Sequence, residues 1–349
     1  MFVLWVIMLM MIPAAAFSNT HGEEEVNVDV NDIIFGHIGD SYDWHITEWK
    51  GEPVAIYLPV ILYSKSSGWH VFSSRKIHGG HNHDGFQMGD GNGKNAGKLV
   101  EIINGEEVRP IDISITKNVL GLFVNCIVVV SVVMYLARWY KKYPDGKVAP
   151  KGFRGALDSF LMDVEDDVIK PCVGKNYRKF TPYLLTVFIF IFINNLMGLV
   201  PIFPGGANLT GNIAVTLVLA LFTAGMVNIF GTKAYWKDIL WPNVPVWMKA
   251  PIPLMPIIEI FGIFTKPFAL MIRLFANILA GHIIILGLVC VIFLTVSLGK
   301  AMNTGMTIVA ILFMVFMNCL EMLVAYIQAY VFTMLSSVFI GMAQEEHSH

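Results

Sequence analysis

The segment from about Met255 to Gly299 constrains the fold most, because it is long and apolar and yet contains Arg273. A helix needs about 20 apolar residues to cross the hydrocarbon core of a bilayer, and this segment is about twice as long. We therefore expect a helix that tilts strongly, lies partly along the membrane or is broken, with Pro256 and Pro267 as candidate bending points. Because an arginine in such a run costs at least about 2.5 kcal/mol on insertion scales, Arg273 should face protein or a water-filled cavity rather than lipid.

The composition excludes a soluble globular protein and predicts a polytopic membrane protein. Hydrophobic residues make up 55% of the chain and charged residues only 14%, which lies outside the soluble range. The segment 180–232 contains no Asp, Glu, Lys or Arg. A net charge of −2 gives no reason to expect a nucleic-acid partner. The four cysteines are scattered, three of them in apolar runs, so we expect neither a disulfide framework nor a zinc site.

Residues 1–17 combine a short apolar run with small residues, which is typical of a secretory signal peptide cleaved near Ala16 or Ser18. The basic residues that usually precede the apolar run are missing, so a retained membrane anchor is the alternative. If the segment is a signal peptide, residues 18–117 form an extension outside the cytoplasm.

This extension is polar, Gly-rich and aromatic, and its patterns favour strands. Val54–Ser64 and Trp69–Ser73 have strand composition. Lys98–Ile103 and Glu106–Ile115 flank Asn104-Gly105, which is typical of a hairpin with a type I′ turn. We therefore expect a small β element.

A loop in the extension contains His78, His81, His83 and Asp84. Imidazole and carboxylate groups can hold a metal such as zinc or copper. The alternative is a Gly-rich loop without a ligand, because the sequence offers no second cluster of ligands nearby. An extracytoplasmic metal-binding module with a membrane anchor is the corresponding functional alternative.

The first predicted transmembrane helix is the uncharged run Val119–Ala137. Six Lys and Arg residues follow between positions 138 and 154, and basic residues mark the cytoplasmic side of a span, so this helix runs from outside to inside. Leu157–Ile169 has apolar residues on one helical face and acidic residues elsewhere, which predicts an amphipathic helix at the cytoplasmic surface.

The other four predicted spans form two hairpins. Pro182–Val200 and Ile213–Phe230 flank a Pro- and Gly-rich loop without Lys or Arg, which places that loop outside. The segments Met255–Leu298 and Met302–Met342 meet near Gly299 and leave the C-terminus in the cytoplasm. The predicted fold is an all-α polytopic membrane protein with five transmembrane helices, an amphipathic cytoplasmic helix and a small extracytoplasmic β-containing extension. Its membrane domain spans residues 118–349.

Polar residues recur on one side of each helix in the second hairpin. Arg273, Asn277 and Gly281 are spaced four apart, with His282 beside them. The next helix has a similar stripe, formed by Asn318, Glu321, Ala325 and Gln328. Two such stripes on adjacent antiparallel helices favour an aqueous path between them.

Structural roles are the alternative for each of these residues. Asn and Gln, including Asn194 and Asn195 in the first hairpin, can join helices by hydrogen bonds. Arg273 and Glu321 can form an internal salt bridge.

The chemistry of these side chains favours ion movement over a soluble enzyme activity. A guanidinium stays protonated, so Arg273 can act only as a fixed charge. A carboxyl group and an imidazole can both gain and lose a proton, so Glu321 and His282 can relay protons. The chain has no Walker A loop, no His-Glu-x-x-His and no Gly-x-Ser-x-Gly sequence. We therefore expect two aqueous routes separated by a permanent positive charge.

Three segments resemble signature segments of subunit a of the F-type ATP synthase. They are Thr265–His282 (TKPFALMIRLFANILAGH), Ile327–Phe332 (IQAYVF) and Phe192–Pro201 (FINNLMGLVP). The resemblance covers about residues 115–345, and its Arg-Leu-x-x-Asn element followed by Ala-Gly is highly specific. Residues 19–110 lie outside it and resemble a lineage-specific extension.

The resemblance implies a stator subunit beside a rotating ring of c subunits. Arg273 matches the essential arginine that faces the ring carboxylates and blocks leakage between two half-channels. Further positions that match the path are Asn277, Gln328, Asn195, His282 and Glu321. The last two match a pair in the outward half-channel, although some relatives carry the acid first and the histidine second. No role follows for Gly198, where some relatives carry an acid, or for Ala269, where some carry serine.

As implied partners, the family adds the c-ring, the subunit b peripheral stalk, the other ATP synthase subunits and the lipid bilayer. The implied location is the bacterial inner membrane, without a cofactor and without catalysis by this chain alone. The translocated ion is the proton, and sodium is the alternative because the ring in another chain is expected to set ion choice. The rival function is an ion-coupled secondary transporter with an intramembrane site at Arg273, which predicts inverted repeats that the sequence does not clearly show.

Overall fold

A computed structural model of the chain describes residues 39–49, 52–77, 81–89, 95, 97–103, 106–143, 149–200, 206–207, 209–240 and 254–345. The predicted signal peptide, His78 and the Asn104-Gly105 turn lie outside these residues.

The described part of the extension contains eight short strands. In chain order they are β1 (Asp43–Trp49), β2 (Glu52–Tyr57), β3 (Pro59–Ser64), β4 (Gly68–Ser73), β5 (Phe86–Met88), β6 (Leu99–Ile103), β7 (Glu106–Val108) and β8 (Ile111–Asp112). They pair antiparallel in three small sheets, with strand orders β1-β2, β4-β3-β8 and β5-β6-β7. Side chains along strand β3 alternate between exposed and buried positions, so Val60 and Leu62 lie in a small core that also contains Phe72, Phe86 and Leu99. We call residues 39–115 the N-terminal module.

A buried carboxylate organises part of this module. Glu101 on β6 accepts hydrogen bonds from the hydroxyls of Ser64, Ser66 and Ser67, the last two at 2.5 and 3.3 Å. Burial acts to raise the pKa of the Glu101 carboxyl, but the three hydrogen bonds favour its charged form and hold the pKa below its ordinary value. The carboxylate therefore links β6 to the turn between β3 and β4.

Helices form the rest of the described chain. They are α1 (Lys117–Lys142), α2 (Phe153–Val164), α3 (Lys170–Val173), α4 (Tyr177–Leu199), α5 (Ile213–Ile229), α6 (Lys233–Leu240), α7 (Leu254–Leu294) and α8 (Lys300–Gln344). A π-helical turn, Glu165–Ile169, joins α2 to α3, so the amphipathic segment is one helical run with Val164, Val168 and Ile169 buried.

The described residues contain four helical runs that are long and apolar enough to cross a membrane, or five when α5 and α6, bent by 101°, count as one span. The prediction of a polytopic, mainly helical membrane protein is confirmed. Helix α7 is continuous through Pro267 over 41 residues, so of the three predicted alternatives a break at Pro267 is excluded, and strong tilt or a course partly along the membrane stays as the prediction. It ends in a 3₁₀ turn before Gly299, whose φ of +95° suits glycine at the reversal into α8.

Small residues allow α8 to pack closely against its neighbours. Positions 325, 329, 333, 337 and 341 recur every four residues and hold Ala, Ala, Thr, Ser and Gly, all buried. A Cβ at Gly341 would lie only 2.0 Å from the backbone oxygen of Cys172, so the helix can approach α3 only because no side chain is present. This is the way in which membrane helices associate when apolar burial gives little driving force. The close packing of this face of α8 places Glu321 and Gln328 on the inward side of the helix.

Candidate functional site

The side chains of His282 on α7 and Glu321 on α8 meet at the centre of the site. His282 Nδ1 lies 3.6 Å from Glu321 Oε1, and the two side chains are 19% and 4% exposed. Neither carboxyl oxygen of Glu321 has a hydrogen-bond donor within the described part of the chain. An acceptor left in this state costs free energy, so the site favours water or a transferable proton beside Glu321.

Gly281 provides the space for this contact. A Cβ at position 281 would lie 2.7 Å from Glu321 Oε1 and 3.1 Å from its Cδ. The carboxyl group therefore occupies the volume that any larger residue at 281 would fill. Sequence spacing placed Gly281 on the polar stripe but did not indicate this role.

Arg273 and Asn277 lie on a different side of α7 from this pair. Both are exposed, and the exposed residues Ala276, Ala280 and Ile284 lie within about 60° of Arg273 around the helix. Arg273 makes no hydrogen bond or ion pair with any residue that the structure describes, so the internal salt bridge to Glu321 is absent from this part of the chain. The two polar stripes meet at Gly281, His282 and Glu321, whereas Arg273 points away from the protein body.

An amide cluster extends the buried polar region across α4. Asn195 Nδ2 donates to the backbone oxygen of Ala325 on α8 at 3.1 Å, and Asn125 Nδ2 on α1 donates to Asn194 Oδ1 at 2.8 Å. The side-chain amide oxygens of Asn125 and Asn195 are buried, and neither accepts a hydrogen bond from a described residue. Gln328 is also buried, three residues, or slightly less than one helical turn, beyond Ala325. These amides join helices, as the structural alternative predicted, and leave unused acceptors.

Sequence reasoning missed Asn125, although the signal was present. It is a strongly polar residue within the uncharged run from Val119 to Ala137, and it is 1% exposed. An amide in such a run is costly unless it has a partner. Asn194 is that partner.

A second group of polar side chains lies toward the N-terminal end of α7. The Tyr183 hydroxyl lies 3.0 Å from Thr223 Oγ1, which lies 3.4 Å from Ser336 Oγ. Nearby, the Tyr235 hydroxyl donates to Asn228 Oδ1 at 3.2 Å. A cavity of about 20 Å³, enough for one water, lies between them and is lined by residues that include Thr223, Asn228, Tyr235, Lys266 and Phe339.

Arg273 therefore lies between two polar regions along α7. At 1.5 Å per residue, it is roughly 10 Å along the axis from Lys266 and roughly 13 Å from His282. The two regions lie on either side of Arg273 along α7, and the exposed guanidinium is the fixed charge between them.

The histidine loop shows no metal site in the part that the structure describes. No group of three or more His, Cys, Asp or Glu side chains there could hold an ion. His83 Nε2 lies 3.6 Å from Asp84 and 3.1 Å from the Lys76 amine. Because His78 lies outside the described residues, a site formed by His78, His81 and His83 stays a prediction.

Two family models match the chain on either side of the start of α1. The model described as ATP synthase A chain matches residues 122–341, and one described as a domain of unknown function (DUF8433) matches residues 33–114.

Curated relatives of known name extend this comparison. The chain is 42% identical to ATP synthase subunit a of Chlorobium phaeobacteroides over 247 residues, covering 69% of this chain and 68% of the relative. It is 44% identical to ATP synthase subunit a 2 of Chlorobaculum tepidum over 243 residues, covering 68% and 65%. It is 36% identical to ATP synthase subunit a of Myxococcus xanthus over 265 residues, covering 70% and 82%.

Proposed function

The chain belongs to the ATP synthase A chain family, and on that premise we propose that it is the proton-translocating stator subunit of an F-type ATP synthase. In this role it provides two half-channels to a ring of c subunits and couples proton flow to rotation. The observation that supports this proposal most is the position of Arg273, which is exposed on α7, has no partner among the described residues and lies between two internal polar regions.

Arg273 is proposed to face the ring. Its exposure to lipid would be costly, but a ring of helices with carboxylates docked on this face would supply partners for the guanidinium. The neighbouring exposed residues include the small side chains Ala269, Ala276 and Ala280, which would let the ring helices approach closely. As a permanent charge, Arg273 would help ring carboxylates release protons and would block direct passage between the half-channels.

The half-channel on the module side would use His282 and Glu321 as its relay. The unsatisfied oxygens of Glu321 and Asn195 would bind the water that carries protons between them. Asn277 would lie where this route reaches the ring, and Gln328 would line the buried side. The opposite half-channel would use the polar region around Thr223, Asn228 and Tyr235.

Rotation is needed because one proton crossing supplies too little free energy. One elementary charge that crosses 100 mV releases about 2.3 kcal/mol, so several crossings must be accumulated for each ATP. This chain would supply the path, while phosphoryl transfer would occur in other subunits.

Charge distribution supports the proposed orientation. Arg138, Lys141 and Lys142 are exposed at the end of α1, which would place that end in the cytoplasm of a bacterial inner membrane. The N-terminal module would then lie outside the cytoplasm, and the end of α8 inside. The partners would be the c-ring, the subunit b peripheral stalk and the bilayer, with protons as the ion and sodium as the alternative.

Replacement of Arg273 by Ala in the whole complex tests this function. In inverted vesicles, ATP-driven proton pumping should disappear, while ATP hydrolysis by the detached catalytic head should persist. The exposed Arg109 of the N-terminal module provides the control, since Arg109→Ala should leave pumping unchanged. Normal pumping by Arg273→Ala would overturn the proposal, and solute-dependent transport by the purified chain would favour a secondary transporter instead.

A further inference from the structure

The N-terminal module is attached directly to the first turn of α1. Ser41 O accepts the Lys117 N–H at 2.8 Å, and Asp40 Oδ1 accepts the Asn118 N–H at 3.0 Å. These N–H groups have no partner within the helix, so the module caps it. The segment Asp40–Trp44 is thereby held against the end of α1 that lies nearest the His282 region.

A continuous line of contacts runs from the module to His282. The Trp44 side chain is 3% exposed, and its Cη2 lies 3.9 Å from the position that a Cβ of Gly121 would occupy. The Ala207 Cβ lies 2.6 Å from the same position, so Gly121 lets Trp44 and Ala207 converge on α1.

The line continues on the other side of Ala207. A Cβ at Gly198 on α4 would lie 3.9 Å from the Ala207 backbone oxygen and 3.7 Å from His282 Nε2. Among the described residues, this line of contacts between the indole of Trp44 and the imidazole of His282 passes through the small residues Gly121, Ala207 and Gly198.

Charged groups surround the outer end of this line. Lys117 lies next to Asp40 and Asp43, because its N–H is bonded to Ser41 O and the N–H of the next residue is bonded to Asp40 Oδ1. Asp40 is exposed, and Asp43 is partly exposed. A cation that approached His282 from this side would thus first meet two carboxylates and an ammonium group.

We propose that the segment Asp40–Trp44, together with Lys117, forms the entrance of the module-side half-channel, with Trp44 as the wall that narrows it. This inference rests on the proposed function and assigns a role in that function to the N-terminal module, which lies outside the part of the chain matched by the ATP synthase A chain model. Asp40 and Asp43 raise the local concentration of cations at the entrance, as negative charge does at other channel mouths.

Passive proton conduction through vesicles that contain the complex without its catalytic head measures access through this entrance. A potassium diffusion potential drives the protons, and a trapped pH dye reports them. Trp44→Ala should raise the rate of proton conduction by at least about twofold, because it removes the indole side chain that narrows the entrance. The matched control is Trp69→Ala, since Trp69 belongs to the same module but is 64% exposed and should leave the rate unchanged.

A second variant removes charge and keeps the local fold. Asp40→Asn retains an oxygen that can accept the Asn118 N–H, so the cap persists while the carboxylate is lost. Conduction should fall by roughly twofold at low ionic strength and return toward the wild-type rate at 1 M salt, where the Debye length is only about 3 Å. If Trp44→Ala does not assemble, as judged by the amount of the chain in the purified complex, Asp40→Asn alone decides.

The proposal is overturned if Trp44→Ala behaves like Trp69→Ala, or if Asp40→Asn conducts at the wild-type rate at low salt. Either result, combined with loss of pumping in Arg273→Ala, would rule out the proposed entrance but would still support the proposed stator function. Normal pumping in Arg273→Ala would instead remove the function itself.

Discussion

His282 Nδ1 lies 3.6 Å from Glu321 Oε1, and this contact between α7 and α8 exists only because residue 281 has no side chain. About one helical turn from Glu321 along α8, the backbone oxygen of Ala325 accepts a hydrogen bond from Asn195 of the buried amide cluster. A titratable pair with unused acceptors around it combines two properties of a proton relay, namely groups that exchange protons and space that favours water.

Gly281→Ala should displace the Glu321 carboxyl and slow proton pumping. The added Cβ would lie 2.7 Å from Oε1, so Glu321 must rotate or the helices must separate. Displacement of a reacting group by about 1 Å can lower a rate by a large factor, and we expect a loss of roughly tenfold in inverted vesicles. Gly287→Ala on the same helix is the control, because no atom lies within 4 Å of its Cβ position. Equal rates for the two variants would contradict this role of Gly281.

Glu321→Gln should slow proton translocation rather than abolish it. The amide keeps the shape of the carboxyl group but cannot release a proton, so His282 and bound water would have to carry the transfer alone. ATP-driven pumping in inverted vesicles measures the effect, and Glu107→Gln at an exposed site of the N-terminal module serves as the control. An unchanged pumping rate in Glu321→Gln would remove the proposed relay role.

The sequence predicted how the polar residues are spaced along each helix, but it did not predict where their side chains point. Four-residue spacing placed Arg273 and Gly281 on the same stripe, because helical periodicity is a local property. Which neighbour each side chain meets depends on helix packing, and the structure turns Arg273 outward while His282 contacts Glu321. The spans themselves were predictable from uncharged length, apart from the unbroken course of α7 through Pro267.

The contacts around the site were harder to predict, because they also depend on how distant segments of the chain pack together. The approach of Trp44 to Gly121 joins residues far apart in the sequence, and no periodicity records such a contact. The buried partner of Asn125 could have been predicted from its amide in an apolar helix, although sequence reasoning missed it.

Acid should destabilise the N-terminal module through Glu101. Its pKa is lowered in the folded state, so its carboxylate contributes stability above the unfolded pKa of about 4.3, and this contribution is lost as the pH falls through the folded value. In Glu101→Gln this contribution to stability should be absent at all pH values, because a neutral amide is a weaker acceptor for the hydroxyls of the three serines. Hydrogen exchange of β6 in the intact complex should be faster in the variant at pH 7, and the difference should shrink below about pH 4. Glu107→Gln, at an exposed site, should show no such difference.

An exchange of the two relay residues provides the sharpest test of whether the pair acts as a unit. The single variants His282→Glu and Glu321→His each replace the acid/imidazole pair by two like groups, so each should pump slowly. The double variant restores one acid and one imidazole across the same pair of helices, and it should recover a substantial part of the wild-type rate. In a double-mutant cycle, the coupling between the two positions should therefore exceed about 0.5 kcal/mol, which is more than the sites would show if they acted independently.

The same double variant separates a relay from a structural contact. Complex assembly, measured by the amount of the chain in the purified enzyme, should be similar for all three variants, because the contact is a single pair beside a helix interface held by small residues from Ala325 to Gly341. If the double variant pumps no faster than the slower single variant while assembly is intact, the two positions have separate roles. Proton transfer would then pass through only one of them, and the pairing of His282 with Glu321 would be a packing contact.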